Sequence, residues 1–375
     1  MIKLNYLVIG DIHLGHMNNP TSGIVHSLDM FFDCYKPESM FTDLDIIFIA
    51  GDLFDRLLDY GSKEIDIING WFRRLLGFCH RNQIKLRILE GTPSHDWKQT
   101  ARLQHTWEQE YKDKVDFAYY DTLAIEYIEK HDVHVLYVPD EWSSSADNTY
   151  KQVQELLASN GLDQVDIAVM HGAFNYQLRH TQSPNHHDES NYLDIVKYVI
   201  SIGHVHSFSI NSRIIPQGSF DRVRHGEEEP KGGVRVWIEG NDYRYQFIEN
   251  RLAHPFITIK IKGTQLEPAI KQIAKRMATI PVNAYVSVKA IASHPVFITF
   301  DELQRKYPLH TLTKSVDKED LPKISAPLIE LDYTPITITP DNVVGMVLEE
   351  MSVNDLITDE DITYLKDTLT KLLED

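Results

Sequence analysis

At 375 residues, with 42% hydrophobic and 25% charged residues, the chain has the composition of a folded globular protein, which argues against disordered, collagen-like and membrane-spanning classes. That length exceeds what one hydrophobic core supports, so a large domain of about 200 to 250 residues with a smaller companion is expected. The formal net charge of −18 opposes a polyanionic partner unless bound cations or a second protein supply positive charge.

Other counts narrow the classes further. The two cysteines, Cys34 and Cys79, form no CxxC pair and read as reduced packing residues. No apolar run approaches the roughly 18 to 20 residues of a membrane span. The start of the chain has no basic region leading into an apolar block, so a cytoplasmic protein without a membrane partner is expected. Eighteen histidines are the unusual feature, since imidazole suits divalent transition metals.

In chain order, Leu4 to Ile9 predicts a buried strand that delivers Asp11 and His13 to its C-terminal end. A helix is predicted over Ser22 to Tyr35, a second buried strand over Asp45 to Ala50, a helix over Ile65 to Phe78 and a third strand over Ile84 to Leu89. Strand, helix, strand alternation of this kind implies an α/β fold with parallel pairing. From Val115 to Val138 short alternating runs predict antiparallel strands, followed by a helix over Asp147 to Asn160 and a strand over Val165 to Met170. Asn175 to Asn191, polar and without apolar period, predicts a long loop. Tyr198 to Ile202 is a further strand. Ser209 to Pro216 and Gly233 to Ile248 predict antiparallel strands, the latter a hairpin turning at Gly240-Asn241-Asp242.

The first domain is therefore expected over 1-250. Phe256 to Ile261, a helix over Leu266 to Met277, Ala284 to Ile291 and Val296 to Thr313 predict a small α/β capping domain over 251-315. A linker rich in Pro, Lys and Asp follows over 316-340, then a tail over 341-375. The tail has ten acidic residues against two lysines and predicts two short amphipathic helices. Such helices bury little alone, so they dock either on a partner or on the cap.

Five short runs at predicted strand ends carry acids and histidines: Asp11-Ile12-His13, Gly51-Asp52-Leu53-Phe54-Asp55, Gly91-Thr92-Pro93-Ser94-His95-Asp96, His171-Gly172 and Gly203-His204-Val205-His206. In extended chain the side-chain period is two, so Asp-x-His and His-x-His each aim both groups to one face. Taken singly, most of these runs read as loop starts or hydrogen-bonded histidines. Taken together, at the sheet end where α/β proteins gather their sites, they point to a metal centre. Carboxylate and imidazole donors in mixture suit manganese, iron or zinc rather than calcium or magnesium.

The runs resemble the signature of the calcineurin-like metallophosphoesterases, which reads D-x-H, G-D-x-x-D, G-N-H-[DE], H and G-H-x-H. The stretch from Ile215 to Arg222, followed by Gly226 to Gly232, is similar to the segment after the last histidine motif in SbcD-type DNA exonuclease subunits. The resemblance covers residues 1 to about 250; cap and tail match in layout only. It implies a four-layer αββα sandwich and two divalent ions, with Mn2+ the expected metal. One ion would be held by Asp11, His13 and His206 with Asp52 bridging, the other by Asp52, His171, His204 and a residue of the Ser94 run.

The same resemblance implies that His95 acts beside the scissile phosphate, that Asp96 orients its ring, and that Asp55 supports a ligand or the substrate. It also implies DNA as substrate, 3′ to 5′ exonuclease and single-strand endonuclease activity, a role in DNA repair or recombination, an SbcC-like ATPase partner and a homodimer. One departure stands out, because the family's Gly-Asn-His-Asp is here longer by two residues, with Ser94 in the place of the amide ligand. Arg222 and Arg224 are candidate backbone-phosphate contacts, against a reading as solvated surface charges. Two other functions remain open on the residues alone: a phosphatase or cyclic-nucleotide phosphodiesterase on the same centre, and a scaffold whose weakened site serves mainly to dock the ATPase.

Overall fold

The computed structural model describes residues 2–32, 41–178 and 183–317. The chain divides into two units, Met1–Lys318 and Glu319–Asp375. All of the second unit lies outside the described residues, and with it the expected tail and the linker beyond Asp317. No helix among the described residues is long and apolar enough to cross a membrane.

The first unit is α/β, as its alternating apolar segments predict. Its opening half runs β1 (Lys3–Ile9), α1 (Thr21–Phe32), β2 (Ile46–Ala50), α2 (Lys63–Asn82), β3 (Lys85–Leu89), the single turn α3 (Pro93–Asp96), α4 (Thr100–Glu110) and β4 (Phe117–Tyr120). β1 to β4 pair in sequence order and in parallel. β2 is buried at every residue, as a strand covered on both faces must be. A second sheet follows from β5 (Ala124–Ile128), β6 (Val133–Val138), α5 (Ala146–Ser159), β7 (Val165–His171), α6 (Glu189–Ile195), β8 (Val196–Gly203) and β9 (Ile214–Pro216). Its strands lie in the order β5-β6-β7-β8-β9, with only β5 antiparallel. The hairpin of β10 (Gly232–Glu239) and β11 (Asp242–Glu249) then returns to the first sheet and pairs antiparallel with β1.

Three apolar cores hold these elements. α1 and α2 pack Leu28, Phe32, Phe72 and Leu75 against Leu7, Ile9, Ile47 and Ile49 of the first sheet. The opposite face of that sheet, with Tyr6, Val8 and Phe48, meets Val135, Tyr137, Ile167 and Val199 of the second. The far face of the second sheet packs Leu136, Ala168 and Ile200 with Val153 and Leu157 of α5 and Tyr192 of α6. Each fully buried side chain of this size contributes about 1.5–3 kcal/mol, so the period-2 and period-3.6 patterns are what hold the strand ends in register. α2 also has a defined start, because the Ser62 hydroxyl accepts from the Ile65 amide.

Several expectations need correction. The stretch Val115 to Val138 is not one antiparallel meander: β4 extends the first sheet in parallel, and only β5 and β6 pair antiparallel, in the second. The crossover that makes β4 parallel is α4, which buries only Thr100 and Leu103 and so lacks a clear apolar stripe. Ser209 to Pro216 holds only the short β9, parallel to β8. The expected loop Asn175 to Asn191 gives way to α6 at Glu189, where the Asp188 side chain accepts from the Ser190 amide; residues 179–182 lie outside the described residues.

Within the same first unit, the strands and helices expected over 251-315 are β12 (Phe256–Lys260), α7 (Leu266–Met277), β13 (Tyr285–Ala290), α8 (Phe300–Lys306) and β14 (Thr311–Val316), called the cap below. Its three parallel strands have their own core around Ile273, Val286 and Phe300. Arg222 joins the two sheet systems to this cap: its guanidinium donates to the carbonyls of Ala253 and Glu229, at 3.0 and 3.1 Å. The expected phosphate contact at Arg222 is thereby corrected, since the group is engaged inside the protein. Arg224 remains exposed and donates to Glu227 at 3.0 Å.

Candidate metal centre

The five acid and histidine runs meet at one place, the C-terminal ends of the parallel strands in both sheets. Asp11 and His13 follow β1, and Asp52 and Asp55 follow β2. His95 lies in α3 just after β3, His171 ends β7, and His204 and His206 follow β8. The loops after β1 and β2 are laced together, with the Ile12 and His13 amides both donating to the Asp52 carbonyl, at 2.8 and 3.1 Å. Asp11, His13, Asp52 and His204 all have positive φ, at 47°, 54°, 46° and 99°. Such conformations are costly for residues other than glycine and concentrate at functional sites. Gly91 is required for a different reason: a Cβ there would stand 2.1 Å from the Asp52 amide nitrogen.

Three groups of side chains bring their donor atoms within 4.8 Å of one another: Asp11, His13 and His206; His13, Asp52 and His95; and Asp52, His171 and His204. Asp52 is common to two of them. The ring orientations are fixed from outside. His171 Nδ1 donates to the Ala50 carbonyl at 2.7 Å, His206 Nδ1 lies 2.7 Å from Glu227 Oε1, and His13 Nδ1 lies 3.1 Å from Asp55 Oδ1. Each ring therefore turns its Nε2 inward. His13 Nε2 and His206 Nε2 approach to 3.2 Å, and His171 Nε2, fully buried, has no hydrogen-bond partner. Outer carboxylates and carbonyls that pin the remote ring nitrogen are the usual support of metal-binding histidines. The residues present fit divalent cations.

Electrostatics agree. Burial lowers the pKa of His171, but the adjacent Asp52 carboxylate outweighs it and raises the imidazole well above the ordinary histidine value. The cluster thus draws positive charge to the position a cation would take. His204 shifts the other way, lowered by burial and by His171, and so stays a neutral donor. Burial works against ionisation of Glu227, yet the His206 hydrogen bond holds its pKa down at about 2.

Not every expected role matches the geometry. Ser94 is exposed, and its carbonyl accepts from the Trp97 indole. Besides His95, Thr92 of this run faces the cluster: its amide donates to Asp52 Oδ1 at 2.6 Å and its hydroxyl lies 3.4 Å from Asp52 Oδ2. Asp96 does not orient the His95 ring; its two oxygens accept from the Phe54 and Gly91 amides at 2.8 and 2.7 Å, tying the loops together. Burial, with Asp52 and Glu90 nearby, raises its pKa well above the usual range. His95 is instead positioned by Asp52, with Nδ1 3.1 Å from Oδ2. Asp55 supports His13, as noted above.

Two further participants were missed from sequence. Asp140, after β6, receives the Thr92 hydroxyl at 3.1 Å and lies 3.6 Å from His204 Nδ1. Nothing local marks it, since Pro-Asp after a strand reads as a turn. Glu227 lies within the family-like segment from Gly226 to Gly232, and its hold on His206 arises only when that segment folds back against that residue. Lys231 completes this support by donating to the His206 carbonyl at 2.8 Å.

No family model and no curated protein matches the chain. Among solved structures it is similar to GAP50, titled the anchor in the inner membrane complex of Plasmodium. That match has 12% identity and a TM-score of 0.38, over 67% of this chain and 86% of the other. TT1561 of Thermus thermophilus aligns at 9% identity with a TM-score of 0.37, over 67% of this chain and 100% of the other. Likenesses at this level assign neither fold family nor function.

Proposed function

We propose that the chain is a calcineurin-like metallophosphoesterase of the SbcD type, hydrolysing DNA phosphodiester bonds with two divalent cations, manganese by preference. The observation that carries this reading is the convergence of His13, His171 and His206 on the buried aspartates Asp11 and Asp52, in three groups of which two contain Asp52, with the remote ring nitrogens of His171 and His206 hydrogen-bonded from outside. The succession of three cores supports the accompanying four-layer arrangement of helices, two sheets and helices. Bound cations would supply the charge that polarises a phosphoryl group and acidifies an attacking water.

The chain's own residues divide the remaining work. Asp11, His13 and His206 would hold one cation, and His171 and His204 the other, with Asp52 between them. Thr92 and Asp140 complete the second position where the family has an asparagine. A carboxylate there makes the donor set more anionic and favours a harder cation such as manganese. His95 donates through Nδ1 to Asp52, and that hydrogen bond raises its pKa. The half-exposed ring is thus kept as a proton donor, suited to a phosphoryl oxygen or the leaving oxygen.

Strand polarity, single-strand endonuclease activity, the SbcC-like ATPase and the homodimer rest on the resemblance alone. The test is a nuclease assay on the full-length protein, with and without an SbcC-like ATPase. Cleavage of oligonucleotides that depends on manganese and stops with chelator is expected. Hydrolysis of p-nitrophenyl phosphate esters with no cleavage of DNA would instead assign a phosphatase or small-molecule phosphodiesterase.

A further inference from the structure

Beside the metal centre lies a cavity of about 570 Å³, within the size range of sites for small organic molecules. The turn after β3 contributes Pro93 and Trp97 to its lining, and the turn after β6 contributes Pro139 and Trp142. We propose that this cavity seats one unpaired nucleobase of the DNA strand whose phosphate lies at the metal centre. The inference rests on the phosphodiesterase reading and adds what that reading lacks, a means of selecting unpaired DNA.

Continuity with the centre is the first ground. Pro93 and Ser94 immediately precede His95, and Asp140 belongs both to the lining and to the cluster around His204. A base in the cavity would therefore belong to a nucleotide at or next to the scissile phosphate.

The second ground is the state of the two indoles. Trp97 Nε1 donates to the Ser94 carbonyl at 2.7 Å, and Trp142 Nε1 donates to Gln152 Oε1 at 2.9 Å. With both N–H groups engaged, the rings are held in place and offer a partner their apolar faces. Trp97 nevertheless remains 54% exposed. Positive φ at Trp97, Lys98 and Glu141, of 50°, 53° and 45°, shows strain at both turns that form the lining.

Charge decides which part of a nucleotide enters. Glu90, Asp121, Asp140 and Glu141 line the cavity, and its lysine, Lys98, pairs with Asp121 at 3.0 Å. This lining repels a phosphate. It accepts an uncharged planar group whose amino hydrogens reach carboxylate oxygens, which describes adenine, cytosine and guanine. To enter, the base must leave the helical stack, so the substrate is single-stranded DNA or a frayed end.

The test titrates full-length wild type, Trp97→Ala, Trp97→Phe and Trp142→Ala with a short fluorescent single-stranded oligonucleotide, calcium replacing manganese. A parallel series carries an abasic residue at each position in turn. Losing one stacked base weakens binding about ten-fold, so one abasic position should cost the wild type that factor. Either alanine variant should lose the same factor on intact DNA and nothing more on that abasic DNA, while Trp97→Phe recovers most of it. Equal losses on intact and abasic DNA, or no sensitive position in a wild type that cleaves DNA with manganese, would overturn the base pocket alone. A wild type that neither binds nor cleaves DNA would overturn the phosphodiesterase reading and the pocket with it.

Discussion

In the proposed two-cation reading, Asp140 is the residue on which the second position turns. It comes from the second sheet and meets Thr92 from the first, so its removal should affect that position and spare the one around Asp11. Asp140→Ala is expected to lower manganese content at saturation from two ions per chain to one, whereas Ser94→Ala keeps both; metal analysis after desalting reads the difference. His95 gives a complementary prediction, because its ring is half-exposed and held by Asp52. His95→Asn should abolish DNA cleavage and retain the metal, and loss of metal would recast His95 as a ligand. The placement of Asp11, His13, Asp52, His171, His204 and His206 at strand ends was legible in the sequence, since an apolar strand marks its own end. Their aim was not, because Asp11, His13, Asp52 and His204 sit in positive-φ turns rather than in extended chain of period two. Thr92, Asp140 and Glu227 were not legible, because their roles arise only when separate strand ends come together.

Between elements, the segment that follows β9 links the metal centre to the cap. Asp221 there accepts from the Arg222 and His254 amides at 2.7 and 2.6 Å, with the Ser27 hydroxyl at 3.4 Å. Burial raises its pKa from 3.8 to about 6. The folded state therefore holds this proton more tightly than the unfolded chain, and stability falls as pH rises from about 4 to about 6, then levels off. The loss amounts to ~3 kcal/mol. Asp221→Asn keeps the acceptor oxygen and removes the titration, so its denaturant unfolding should be flatter across that window and more stable than wild type at pH 7.5. The cap helix Leu266–Met277 was legible to the residue, because its apolar positions recur at helical spacing on an otherwise polar segment. α4 was not, having too little buried surface to impose a period.

For the whole molecule, what matters is how the two sheets are held face to face, since the metal centre draws ligands from both. Apolar packing provides most of this contact, but a largely buried ion pair also crosses it. Arg87 of β3 donates to Glu126 of β5 at 2.6 Å, and Tyr137 of β6 donates to the same carboxylate at 2.7 Å. Tyr120 stacks on Tyr137 with ring centroids 3.8 Å apart. Removing one partner leaves a buried charge uncompensated, so Arg87→Ala should destabilise the protein by about 3–5 kcal/mol in denaturant unfolding. Replacing Arg87 and Glu126 together by apolar residues should cost much less. The α/β class was legible from alternating strand and helix patterns, but which strands share a sheet was not, because a buried strand has the same pattern in either sheet.

At every scale the proposed function makes one requirement: the strand ends of the two sheets would hold two cations side by side. Metal content of the full-length protein at saturating manganese, measured by mass spectrometry, tests this most directly. Two ions per chain are expected, and one or fewer per chain would contradict it.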